Sequence, residues 1–120
     1  MTEATTSLTC TVVSPQTMSL DDQVAIFGEA SHIAGEYGSG LHSSIFSLPG
    51  TRVLSLQSEA VNQFVQAGLG AVLTQPTGFA LGECRPEIQR TLNTHASLGN
   101  RYCWFDAALV EQTLDEFLQI

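Results

Sequence analysis

Lysine is absent from this 120-residue chain, and its formal positive charge is four arginines against twelve acidic residues. A net charge of −8 argues against nucleic-acid binding, which needs clustered Lys and Arg to displace counterions from phosphates. It argues equally against docking on an anionic membrane surface. A small ligand with two or three negative charges is a different case. Long-range repulsion is screened at physiological salt, and local N–H groups can override it. No apolar run approaches the length of a membrane span. Cys10, Cys84 and Cys103 are an odd set without paired spacing. With no signal-peptide pattern at the start, they point to a reduced, cytoplasmic setting. His32, His42 and His95 lie far from each other and from any Cys–x–x–Cys pair, so no metal site and no bound cofactor is expected. Internal repeats and low-complexity tracts are also missing.

What is present is a globular composition, 43% hydrophobic and 8% aromatic, read as one domain over residues 1–120. Leu8 to Val13 is β-branched and mostly apolar, which predicts a strand closed by Ser14-Pro15. Ser19 then caps a helix with Asp22 three residues on, and Leu20, Val24 and Phe27 recur at helical spacing, with Ile26 and Ala30 widening the stripe. Asp21 and Asp22 in the first turn suit the helix dipole. Ser31 to Glu36 reads as a short buried strand centred on Ile33 and Ala34. Leu41 to Ser47 reads as a short helix ended by Leu48-Pro49-Gly50, and Arg52 to Leu56 as a second strand. Ser58 to Gly68 presents Val61, Phe64 and Val65 on one helical face and stops at glycine. Two strands joined through a helix imply a parallel, right-handed βαβ unit. Short extended pieces are expected at Ala71–Leu73 and Gly78–Leu81, and a loop over most of Glu83–Tyr102. A last helix, about 106–118, is capped by Asp106 and striped by Ala107, Val110, Leu114 and Phe117, with Glu111, Asp115 and Glu116 facing solvent.

The chemistry concentrates at Tyr37-Gly38-Ser39-Gly40. A glycine turn between a strand and a helix start is where open α/β sheets bind phosphates: N–H groups point outward and small residues admit the anion. Ser39 and Ser43 can add hydroxyl donors. The same glycines would equally serve a simple chain reversal. A nucleophile elbow is excluded because Tyr37 and Leu41 flank Ser39 where glycines are needed. The dinucleotide fingerprint is a near miss, since Gly38-x-Gly40 is followed by Ser43. It leaves a small nicotinamide-binding domain as a third reading. Parallel strands place Gln57, Ser58 and Glu59 at the same sheet edge as the turn, with Glu59 where an acid would meet a ribose hydroxyl. Arg52 starts its strand and belongs at the opposite edge. His42 can donate to a phosphate, act on a leaving group, or simply pack at the helix start.

Asp22 to Phe27, Ala30, Ile33 to Leu41, Phe46 and Pro49 to Leu54, taken in order, resemble the C-terminal motif block of family 61 glycosyltransferases, whose bacterial members include capsular polysaccharide biosynthesis proteins. The resemblance covers roughly residues 19–56. A fainter likeness runs from the Ser58 helix to the Asp106 helix. It implies an α/β fold: a Rossmann-like partial parallel sheet with flanking helices, as in the C-terminal domain of a GT-B glycosyltransferase. It also implies a nucleotide-diphosphate sugar donor, used in polysaccharide biosynthesis and held by Gly38, Ser39, Gly40, Leu41 and Ser43. Tyr37, His42 and Glu59 are further candidate contacts. The family's usual histidine before the first glycine is Tyr37 here, its alanine is Ser39, and its acid after Pro-Gly is Ser55. An inverting transfer also needs a base for the acceptor hydroxyl, and no residue here takes that role. The expected protein is therefore a donor-binding half that is incomplete as a catalyst, working with a separate N-terminal half-domain or by self-association. The alternative is a non-catalytic remnant or interaction module of the same fold.

Overall fold

The computed structural model describes residues 10–38, 40–59, 64–83 and 104–120. Three strands, β1 (His32–Glu36), β2 (Arg52–Ser58) and β3 (Thr77–Gly82), form one parallel sheet in the order β1-β2-β3. Helices α1 (Leu20–Gly28), α2 (Val65–Leu73) and α3 (Ala107–Leu118) flank it, and a 3-10 helix at Leu41–Phe46 joins β1 to β2. The chain thus has the Rossmann-like partial α/β fold expected from its sequence.

Helix α1 begins where Ser19 Oγ accepts the Asp22 N–H at 3.1 Å. Side chains meet the carbonyls around its C-terminus: Ser47 Oγ donates to Phe27 O at 2.7 Å and, two residues past the helix, Thr51 Oγ1 donates to Ala30 O at 3.2 Å. One core lies on this side of the sheet, built from Phe27, Ile33, Leu41 and Val53, with Val13, Ile26, Ala30 and Phe46 packed around it. In β2 both Val53 and Leu54 are buried, although successive strand residues face opposite ways. The central strand is therefore covered on both faces, as parallel sheets require. The second cover is α3. Phe117 is buried with its ring edge-on to His32 at 5.2 Å, and Arg52 Nε donates to Ile120 O at 3.1 Å.

Two turns set the strand starts. Pro49-Gly50 carries φ 91° at the glycine, and Thr51 N–H bonds to Leu48 O at 3.2 Å. That is a type II arrangement, which favours proline then glycine. At the other, α2 ends on Thr74 in the left-handed region, φ 57° and ψ 47°. Gly70 permits the close passage beneath it: a Cβ there would stand 2.7 Å from Gln75 O and closer still to Thr77 Oγ1.

Side-chain amides tie these parts together. Gln66 and Gln75 are 0% and 2% exposed. Gln66 Nε2 donates to Ser44 Oγ at 2.9 Å, and Gln75 Nε2 to the carbonyls of Ser44 at 2.9 Å and Ser47 at 3.2 Å. Both Oε1 atoms are buried without partners.

Several sequence expectations are corrected. Cys10 to Ser14 form no strand; β-branched residues need a paired neighbour to become one, and Val13 instead packs on the core. Leu8 lies outside the described residues. Leu20 and Val24 are exposed, so α1 buries its Ile26–Phe27 side. Ala34 is exposed because β1 is an edge strand, covered fully only on the Ile33 face. The helix expected over Ser58–Gly68 starts at Val65 and runs on to Leu73, while Ser58 stays in β2, paired with Gly82. Glycine stops a helix only by taking the left-handed cap, and here Thr74 takes it. Phe64 and Val65 are exposed, and Val61 lies outside the described residues. Ala71–Leu73 is therefore helical, whereas an extended Gly78–Leu81 is found in β3. The loop expected after Glu83 lies largely outside the described residues. In α3 the Asp106 cap is present, with Oδ1 accepting the Ala108 N–H at 2.9 Å. Val110, Leu114 and Phe117 line its inner side, but Ala107 is exposed. Glu111 and Glu116 face solvent, and Asp115 is half-buried.

Two stability measurements follow from this packing. Gln75→Leu takes the donor from the buried Ser47 carbonyl and one of two from Ser44 O, which keeps the Ser47 N–H at 2.9 Å, and should cost about 1–3 kcal/mol in urea unfolding. Gln66→Leu leaves only the rotatable Ser44 hydroxyl without its partner and should cost under about 1 kcal/mol. Thr74→Gly removes a β-branched side chain from left-handed backbone and should stabilise by roughly 0.5–1 kcal/mol, read as a raised thermal midpoint.

Candidate functional site

Parallel strands gather their C-terminal ends on one edge, and the register fixes which residues meet there. Glu36 pairs with Leu56 and Ser58 with Gly82, and the Tyr37 N–H bonds to Leu56 O at 2.9 Å. The glycine turn, Gln57, Ser58 and Glu59 therefore share that edge. Arg52 pairs with His32 at the far edge, as expected, where it holds the Ile120 carbonyl.

At the turn itself, His42 N–H bonds to Gly38 O and Ser43 N–H to Gly40 O, each at 3.2 Å. Among the described residues no backbone carbonyl takes the N–H of Gly38, Gly40 or Leu41. A Cβ on Gly38 would meet nothing within 4 Å, so the space beside it is open. Gly40 has ordinary right-handed backbone, φ −61° and ψ −43°, and a Cβ there would touch only the Pro15 ring, at 3.8 Å. Pro15 forms one wall of the turn and is itself held in place, because Gln23 Nε2 donates to Pro15 O at 2.9 Å. Sequence reading missed this wall; Pro15 is close in space but far from the glycines along the chain.

The candidate side chains divide into two groups. Leu41 is buried in the core, so only its N–H can serve a ligand. Ser43 is 7% exposed, which leaves little of its hydroxyl for an outside anion. Tyr37 and His42 meet edge-to-face with ring centroids 5.3 Å apart. His42 Nε2 is buried without a hydrogen-bond partner. Ser39 lies outside the described residues. Glu59 stands just past β2, its N–H bonded to Gly82 O at 3.0 Å.

Ser55, where the family's acid would be expected, is fully buried and donates to Gln57 Oε1 at 3.1 Å. It therefore orients a neighbouring amide at the same edge, a link that the sequence alone did not suggest. The helix after the turn is a six-residue 3-10 helix, too short for much summed dipole. Any anion held here would depend on individual N–H groups. Among the described residues no group of three His, Cys, Asp or Glu could hold a metal ion. No helix among them is long and apolar enough to cross a membrane.

Comparison with known proteins agrees with the motif reading. The family model described as Glycosyltransferase 61 matches residues 1–54. The match lies at the start of the chain, spans α1, β1, the glycine turn and the first residues of β2, and does not extend to the fainter likeness beyond them. No curated protein and no solved structure gives a significant match. Over residues 1–54 the chain is thus similar to the glycosyltransferase 61 family.

Proposed function

We propose that this chain is the donor-binding part of a family 61-like glycosyltransferase, holding the diphosphate of a nucleotide sugar at the Tyr37–Ser43 turn. The observation that carries the reading is the turn's position: a glycine-bearing strand end at the C-terminal edge of a parallel sheet, inside the segment that matches the family. Open α/β sheets take their ligands at that edge. The N–H groups of Gly38, Gly40 and Leu41 would meet phosphate oxygens, with the backbone and hydroxyl of Ser39 beside them. His42 and Tyr37 would flank the diphosphate, and Ser43 would help hold the turn. Glu59 would reach the ribose. Polysaccharide biosynthesis, a cytoplasmic setting and a GT-B partner domain belong to the same reading. Residues 1–120 would then form one domain.

Transfer needs more than this chain offers. A diphosphate leaving group can be stabilised by N–H donors already in place, but the acceptor hydroxyl needs a base. That base would come from a second domain facing the turn. A second reading, a non-catalytic module of the same fold, draws on one observation: Phe64, Val65 and Val72 of the α2 region stand 71%, 54% and 81% exposed, an apolar surface of the kind that marks contact with another chain.

Calorimetric titration with a panel of nucleoside diphosphates and nucleotide sugars tests the first reading. One nucleotide should bind at about millimolar or better, and Gly40→Val should weaken it at least about tenfold, or roughly 1.4 kcal/mol. The variant is a fair probe because the new Cβ meets only Pro15 at ordinary contact distance. A folded wild-type chain that gives no heat with any member rejects the donor site and leaves the module.

A further inference from the structure

From Ala60 to Gly82 the chain carries no charged residue, in a protein whose net charge is −8. That segment supplies α2 and β3. Elsewhere the surface is acidic, with Asp21, Asp22 and Glu29 at α1 and Glu111 and Glu116 on α3. Two copies meeting through those helices would bring like charges together. The α2–β3 side lets them approach without that cost.

The same side has an open strand edge. Val53 N–H bonds to Pro76 O at 2.9 Å and Glu59 N–H to Gly82 O at 3.0 Å, so the even-numbered residues of β3 turn their backbone groups toward β2. Glu83 turns the other way and exchanges bonds of 2.9 and 2.8 Å with Trp104 in an antiparallel bridge. By the same alternation Thr77, Phe79 and Leu81 direct their N–H and C=O groups outward. No backbone partner meets those groups among the described residues. Phe79 is 42% and Leu81 61% exposed. Beside them lies an open depression of about 370 Å³, lined by Ala67, Gly70 and Ala71 of α2 and Thr77 and Phe79 of β3.

We propose that a second copy of this chain occupies this surface, with β3 pairing antiparallel to its counterpart across a two-fold axis at Phe79. Outward-facing residues at 77, 79 and 81 are self-complementary in that register: Phe79 exchanges bonds with its own copy, and Thr77 with Leu81 of the other chain. Both Phe79 rings then lie on the helix-bearing face as a direct cross-strand pair, a favourable aromatic contact. The two depressions join into one groove between the α2 helices. Trp104 on Glu83 limits the pairing to this short stretch and blocks longer slipped registers. Exposed Phe79 and Leu81, with Phe64 at the start of α2, supply the apolar area of that contact, whereas Val65 and Val72 lie on the opposite side of α2 from Ala67, Ala71 and Thr74 beside the depression. The sheet becomes six-stranded with the glycine turns at its outer strands, so pairing leaves the proposed donor sites open.

Sedimentation velocity of the intact chain from roughly 1 to 100 μM tests this. Wild type should form a reversible dimer in that range. Leu81→Pro removes an outward N–H without breaking the β2 ladder, and Phe79→Lys places charge on the axis; each should weaken the dimer at least tenfold. Circular dichroism checks that both variants stay folded. If either unfolds, hydrogen exchange on the wild-type dimer replaces it: dilution should speed exchange at Phe79 and Leu81 but not at Gly78 and Ala80. A monomer throughout the range overturns the proposal. So does a dimer that survives both substitutions, or exchange that ignores dilution.

Discussion

Two buried glutamine amides hold the helical side of this protein in register with its sheet. Gln75 sits where α2 ends and β3 is about to begin, and its Nε2 reaches back to the carbonyls of Ser44 and Ser47. They lie at the end of the 3-10 helix, where the Ser47 N–H already meets Ser44 O at 2.9 Å and the carbonyl of the cap residue Ser47 needs a donor from elsewhere. Gln66 reaches Ser44 Oγ from the first turn of α2. Backbone bonds from Gly50 N to Thr74 O and from Val53 N to Pro76 O reinforce the junction. Without Gln75 the Ser47 carbonyl would lose its donor, at a cost of about 1–3 kcal/mol. The apolar core alone, four buried side chains beside β1 and β2, does not reach that side of the fold.

The candidate site depends on this junction indirectly. The 3-10 helix anchored by Gln66 and Gln75 is the one that begins at the glycine turn. Its first residue, Leu41, is buried against Phe27, Ile33 and Val53. Side-chain burial thus fixes the backbone whose N–H groups would contact a ligand. Pro15, held by Gln23, closes the turn from the opposite direction. The site is a backbone feature set by packing on both sides, consistent with a ligand recognised more by the position of N–H donors than by charge.

Coverage of the sheet is uneven. The strand β2 is enclosed by α1 and the 3-10 helix on one face and by α3 on the other, whereas β3 keeps an apolar edge and an open depression beside α2. Exposed Val65, Val72, Phe79 and Leu81 are the residues a larger α/β assembly would cover. The glycine turn lies at the other side of the sheet, after β1, so the two surfaces can be occupied independently.

Local signals decided much of this structure. Ser19 and Asp106 cap helices because their side chains can accept N–H groups two or three residues on, whatever surrounds them. Pro49-Gly50 makes its turn because one residue presets φ and the other tolerates a positive value. The strand–glycine turn–helix order, and with it the family resemblance, was legible for the same reason, as was the placement of Gln57 to Glu59 beside the turn and Arg52 away from it. Other features were decided only by tertiary contacts. Val12 and Val13 have strand propensity but pair with no strand among the described residues. Gly68 does not stop α2, because the chain must continue to Thr74 before it can turn beneath Gly70 into β3. Leu20 and Val24 fit a helical stripe but face solvent, since α1 is rotated to place Phe27 over Ile33. The roles of Pro15, Gln66 and Gln75 depend on partners between 8 and 31 residues away along the chain. Such pairings follow no helical or strand period, so only the folded chain could bring them together.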